Sequence, residues 1–161
     1  MPAPVVDLPE RMNAAADFVD ANVEAGRGGK VAIIDAGDGR SYTYNDVLSG
    51  TNRTGNALRS LGVRREERVM MLMLDSPEFV FTFFGAMKIG AVPIPTNTLL
   101  ISADYEYMIN DSGARVLVIS EPLLPLIEPI RAHLNRLDEI IVVGQHADGH
   151  LAVAAVAVRP V

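Results

Sequence analysis

The stretch Phe83-Phe84-Gly85-Ala86-Met87-Lys88-Ile89-Gly90-Ala91-Val92-Pro93-Ile94-Pro95-Thr96-Asn97 decides the fold. Its first half is the end of a helix that is apolar nearly all round, which requires cover on most sides. Gly90 supplies a stop. Ala91 to Ile94 then reads as a short strand, closed by prolines and taken to lie inside a sheet. A buried helix feeding a buried strand is the unit from which parallel sheets are built.

Working backward, Val69 to Leu74 is a continuous apolar run bounded by charge before it and by Asp75-Ser76-Pro77 after it. Its length favours a strand covered on both faces. Pro77 suits the first turn of the following helix, with Ser76 or Asp75 as cap. Thr43-Tyr44-Asn45-Asp46 has the form of a capping box, a hydroxyl residue followed three positions later by a carboxylate. The helix it opens runs to about Leu61, with Val47, Leu48, Thr51, Leu58 and Leu61 along one side and Gly62 as its left-handed stop. Upstream, Val31 to Asp35 and Ser41 to Thr43 flank the turn Ala36-Gly37-Asp38-Gly39 as a hairpin. Arg11 to Glu24 has helical periodicity in Met12, Ala15, Ala16, Val19 and Val23, and Gly26-Arg27-Gly28-Gly29 breaks it.

Working forward, Ser102 caps a helix that reaches Ser112 and ends at Gly113. Arg115 to Ile119 is a strand, Pro122 to Leu137 a helix kinked at Pro129, and Glu139 to Val143 the last strand. This alternation predicts an α/β fold. Its sheet is mostly parallel and doubly wound, with right-handed crossovers and helices on both faces, preceded by an N-terminal helix and a β-hairpin. Residues 1–145 form that unit, and residues 146–161 are an apolar tail. Leu151 to Val158 is expected to be disordered or buried against another copy, consistent with a truncation end and with a homo-oligomer formed through exposed apolar surface.

Composition narrows the function. The chain has 161 residues, 49% hydrophobic and 21% charged, enough for one domain that buries about 70% of its unfolded surface. Its net charge is −6, and its densest basic cluster, Arg64-Arg65-Glu66-Glu67-Arg68, is nearly neutralised from within. Nucleic-acid binding calls for a basic stripe that replaces phosphate counterions, and none is visible. Neither a secretory leader nor an apolar run of bilayer length is visible, so a cytoplasmic protein without membrane contact is expected. The absence of cysteine excludes disulfides and thiolate metal sites.

Several local patterns invite a chemical reading and lose it on inspection. Gly26-Arg27-Gly28-Gly29-Lys30 resembles a phosphate loop, but Val31 follows the lysine and a strand comes next, not a helix. His146-Ala147-Asp148-Gly149-His150 gathers two imidazoles and a carboxylate, yet Asp148-Gly149 favours a turn over the helix that would align them. His133 reads as a helix-surface residue. Asp35 and Asp38 lack the register of a calcium loop. Asn52-Arg53-Thr54 is a sequon inside a helix. No nucleophile, base and acid stand together, and no paired carboxylates do.

Four segments in order resemble the N-terminal part of the adenylate-forming acyl- and aryl-CoA ligases. Ser41 to Val47 is similar to that family's early Ser/Thr-Tyr element, with Asp46 where Glu is usual. Leu61 to Val69 resembles its entry to a core strand. Gly85 to Asn97 resembles its GxxKxGAVxVPxN segment, and Ser102 to Ile119 its following helix and strand. Met12 to Asp20 and Pro95 to Leu100 look like the benzoate and hydroxybenzoate branch, with Thr98 where many other branches place proline.

The resemblance implies an ATP-dependent reaction on an aromatic carboxylate, with magnesium and coenzyme A. The carboxylate attacks the α-phosphate of ATP, pyrophosphate leaves, and the CoA thiol then displaces AMP from the acyl adenylate to form a thioester. The family's phosphate loop, adenine motif, ribose-binding Asp, hinge and C-terminal-domain lysine have no counterpart here. The two lysines, Lys30 and Lys88, lie outside that lysine's context. No catalytic, cofactor-binding or metal-binding residue is therefore carried over, and the chain by itself is expected to bind none of these cofactors and to be inactive. The rival readings are a non-catalytic scaffold or dimerisation module, and a small doubly wound nucleotide-binding protein with its ligand near Asp75 to Pro77 or Pro95 to Asn97.

Overall fold

The computed structural model describes residues 9–145 and 151–157. Its frame is a five-stranded sheet in the order β4-β3-β5-β6-β7, formed by Val92–Pro95, Arg68–Leu72, Val116–Ser120, Glu139–Gln145 and Leu151–Ala157 respectively. The first four strands are parallel and β7 is antiparallel to β6. A separate antiparallel hairpin, β1 (Val31–Ile34) and β2 (Ser41–Thr43), precedes them.

Strict alternation along the inner strands makes two cores. Met70, Leu72, Leu117, Ile119 and Ile140 point to one face, where helix α3 (Ser102–Ser112) contributes Tyr105 and Ile109. Val69, Met71, Val116, Val118, Ile141 and Val143 point to the other, under helices α1 (Tyr44–Ser60) and α2 (Pro77–Lys88). Every residue of β5 is buried, which explains why that segment reads as an uninterrupted apolar run. The doubly wound expectation is met.

Local signals hold where the chain's own chemistry fixes them. The Thr43 hydroxyl accepts the Asp46 N–H at 3.3 Å while the Asp46 carboxylate accepts the Thr43 N–H at 2.8 Å, closing the capping box that starts α1. Gly62 takes φ 82°, the left-handed stop, and Pro77 opens α2 at its first turn. Asp46 is held below the usual carboxylate range by its hydrogen bonds with Thr43.

Other elements differ from expectation. Among the described residues β4 pairs with β3 alone and is therefore an edge strand, not an inner one. Pro93 and Pro95 lack N–H groups and suit an edge. The segment expected as one kinked helix is two 3₁₀ turns, Glu121–Leu126 and Glu128–His133, because Pro122, Pro125 and Pro129 remove the donors of a continuous α-helix. Ser102 begins α3 and does not cap it. Ile101 stands at the cap, and the Asp104 carboxylate accepts its N–H at 3.3 Å.

The N-terminal helix spans 14–27, wound largely in wide π-type turns around Ala16–Asp20 and Val23–Arg27. Its entry is tied to α2, since the Asn13 amide donates to the Met87 carbonyl at 3.1 Å. Leu151 to Val158 was expected to be disordered or to pack on another copy; Leu151–Ala157 runs instead as β7 along β6, and Val158 lies outside the described residues. The β7 backbone satisfies the N–H and C=O groups that the β6 edge would otherwise present.

Candidate functional site

In an open α/β sheet a ligand crevice forms beyond the strand C-termini, where neighbouring connections depart in opposite directions. Here that point lies between β3 and β5. The β3 chain leaves through α2 toward β4, and the β5 chain leaves through the 3₁₀ turns toward β6. A side chain bridges the crevice, the Ser120 hydroxyl accepting the Leu74 N–H at 3.0 Å. Three acids follow the two strands, Asp75 and Glu78 after β3 and Glu121 after β5, with no lysine or arginine in either turn. The first helical position of α2 is Pro77, which has no N–H to offer. An anionic phosphate is disfavoured there by charge, and one helix-start donor is absent.

The second loop singled out by sequence, Pro95 to Asn97, is pinned from within. Thr96 donates its N–H to the Met71 carbonyl at 3.0 Å and its hydroxyl to the Ile94 carbonyl at 3.2 Å. The fully buried Tyr105 donates its hydroxyl to the Asn97 carbonyl at 3.0 Å and accepts the Leu100 N–H at 3.1 Å. These groups are occupied in holding the β4–α3 turn. They shape a rim and leave few donors for a ligand.

A cleft of about 570 Å³ opens on the α1/α2 face of the sheet. Its floor is Val118, Ile141 and Val143, its walls are Leu58 and Phe81, and Arg53, Thr54, Glu78 and Thr82 stand at its edge. One Glu78 oxygen, Oε2, is buried without a hydrogen-bond partner. The rim thus carries one acid, Glu78, and one base, Arg53, around an apolar floor. A smaller cleft of about 350 Å³ separates the hairpin tip from the α2 entry and carries Asp35 and Asp75.

The remaining sequence candidates are dispersed. Gly26 has φ 75° and Lys30 donates its N–H to the Arg27 carbonyl, so the Gly-rich segment terminates a helix where a phosphate loop would begin one. Asp35 and Asp38 organise the hairpin turn, accepting N–H groups from Gly37 and Arg40 at 2.8 Å each. The Arg40 backbone N–H and guanidinium hold the Asp38 carboxyl below its ordinary value. His133 lies exposed at a turn end, 3.4 Å from the Glu106 carboxylate. Asn52-Arg53-Thr54 lies within α1. His146 to His150 lies outside the described residues. Among the described residues no three histidine or acid side chains gather as a metal-holding group, and no helix is long and apolar enough to cross a membrane.

Lys88 has a partner that sequence reading missed. Its ammonium pairs with Asp20 at 2.5 Å, both side chains about three-quarters buried, tying α2 to the N-terminal helix. The signal was too distant in sequence to read.

Residues 19–157 match the family model for AMP-binding enzymes. The chain belongs to that family. Among similar AMP-binding enzymes, a benzoate–CoA ligase of Thauera aromatica is 47% identical over 150 residues, which is 92% of this chain and 28% of the relative. A 4-hydroxybenzoate–CoA/benzoate–CoA ligase of Rhodopseudomonas palustris is 43% identical over 132 residues, 82% of this chain and 24% of the relative. The crystal structure of the anthranilate CoA ligase AuaEII with anthranoyl-AMP superposes with TM-score 0.79 at 43% identity, covering 84% of this chain and 25% of that one. A benzoate CoA ligase from Burkholderia xenovorans LB400 gives 0.73 at 34% identity, over 88% of this chain and 27% of that one. The chain thus spans about a quarter of the length of these relatives.

Proposed function

We propose that this chain supplies the N-terminal sheet unit, residues 1–145, of a cytoplasmic ATP-dependent aryl-CoA ligase. The reaction assigned to the whole enzyme joins benzoate or a hydroxybenzoate to coenzyme A, with ATP converted to AMP and pyrophosphate through an acyl adenylate. The observation that carries this reading is the 47% identity with a benzoate–CoA ligase over 150 residues.

The crevice offers little to the phosphates of ATP, and among the described residues no three acid or histidine side chains gather to hold its magnesium. The crevice between β3 and β5 is acidic, and the helix that opens there begins with proline. No chemical step is therefore assigned to a side chain of this chain. Its contribution is the double-sided sheet and its rim, on which the reacting parts of a ligase are assembled.

The test replaces the matching segment of the Thauera enzyme with this chain and measures benzoate-dependent AMP formation. Turnover by the chimera is the expected result. A folded chimera that makes no benzoyl adenylate and no thioester would count against the reading. Calorimetry on the isolated chain with ATP, benzoate and CoA should give no saturable binding, and micromolar ATP affinity would favour an independent nucleotide-binding protein.

A further inference from the structure

The two edges of the main sheet are built differently. At one end β4 presents Pro93 and Pro95, which have no N–H to offer a neighbouring strand. At the other end stands β7, which among the described residues pairs with β6 alone. Its sequence, Leu-Ala-Val-Ala-Ala-Val-Ala, holds no proline and no charge. Its register on β6 runs from Leu151 opposite Gln145 to Ala157 opposite Glu139 without a bulge. Proline, charge and bulges are the devices by which natural sheets keep an edge from pairing with another chain, and β7 has none of them. β6 satisfies one side of this strand, and the N–H and C=O groups of the other side point away from it.

We propose that β7 is a dimerisation edge, pairing antiparallel with β7 of a second copy so that two five-stranded sheets become one. A closed contact of this kind has two-fold symmetry. Facing residues of antiparallel strands share one side of the sheet, so the symmetry requires one residue to oppose its own copy. Centring the pair on Ala154 keeps the whole of β7 paired. Leu151 then faces the partner's Ala157, Ala152 the partner's Val156, and Val153 the partner's Ala155. Each larger apolar residue is thus set opposite an alanine, and no like charges meet. Seating β7 on β4 of the next copy would build an open filament instead, and the prolines of β4 withhold the donors it needs. The inference does not rest on the ligase reading.

Sedimentation of the chain should show a concentration-dependent species of twice 17.3 kDa. Ala154→Lys sets like charges directly opposite each other and should weaken association by about tenfold or more, as should Ala154→Glu. A mixture of the two variants should recover the dimer, because unlike charges then face across the axis.

The chain has no cysteine, so Ala154→Cys carries a single thiol. Its α-carbon lies about 5 Å from its twin across the axis, within disulfide reach, so mild oxidation should yield a covalent dimer. Leu151→Cys, whose twin stands about 20 Å away along the strands, should crosslink at least about tenfold more slowly. Cysteine is small enough to replace alanine in the strand, so this reading stands even where a charged variant fails to fold. A chain that stays monomeric at every concentration, association untouched by Ala154→Lys, or equal crosslinking at the two positions would each overturn the proposal. A ladder of larger assemblies would do so too, since open-ended pairing is not a closed dimer.

Discussion

The Gly85 carbonyl oxygen lies 3.1 Å from the point where a β-carbon on Gly55 would stand. The reciprocal approach is as close, since a β-carbon on Gly85 would meet the Gly55 nitrogen and the Thr51 carbonyl oxygen at 3.0 Å each. Helices α1 and α2 therefore meet backbone to backbone, and this contact fixes how α1 lies beside the sheet. Gly85→Ala should destabilise the chain by about 1–3 kcal/mol, because the intruding methyl faces backbone that cannot swing aside. Urea denaturation checks this. An unchanged midpoint would mean that the helices part at little cost.

The capping box at Thr43 carries a pH signature. Thr43→Ala should cost about 1 kcal/mol, read from the same denaturation curves. Asp46 has its pKa lowered in the folded state, so its contribution is present above the unfolded value of about 3.9 and fades as pH falls through the lower folded value. The penalty of Asp46→Asn should accordingly shrink as pH is taken below 4. A penalty independent of pH would contradict the charged cap.

Asp20 and Lys88 join elements far apart in the chain at 2.5 Å. A double-mutant cycle with Asp20→Asn and Lys88→Met should return a coupling of about 1 kcal/mol, at the upper end for ion pairs near a surface because both groups are largely covered. Additive effects would show that the pair contributes nothing beyond its parts.

Tyr105→Phe removes one hydroxyl that serves both the Asn97 carbonyl and the Leu100 N–H. The expected loss is about 1–3 kcal/mol, the cost of leaving such groups unsatisfied in a part-buried turn. Faster amide exchange at Leu100, with the β3 amides unaffected, would localise the damage to the rim.

The hairpin, both long helices, the central strands and the family membership were legible in the sequence, because each is written in adjacent residues. Thr43 with Asp46, Pro77 at a helix start, and apolar runs of strand length act over a few positions. The prolines of β4 also carried their message, but whether a strand is central or at an edge depends on what lies beside it. Three spaced prolines broke the expected helix after β5 because each removes a donor locally. Their combined effect yields two 3₁₀ turns where a single kink was expected. The run Leu151–Ala157 looked like a loose tail until β6 offered it an edge.

What the sequence alone determined is the alternation of strand and helix and the kind of enzyme to which the chain belongs. The tertiary structure alone decided strand order, the pairing of Lys88 with Asp20, the meeting of Gly55 with Gly85, and the isolation of the Glu78 oxygen. Capping and periodicity act between neighbours and can be read along the chain. Strand order, ion pairing and burial are relations between residues tens of positions apart, and they acquire a sign only once the chain has brought those residues together.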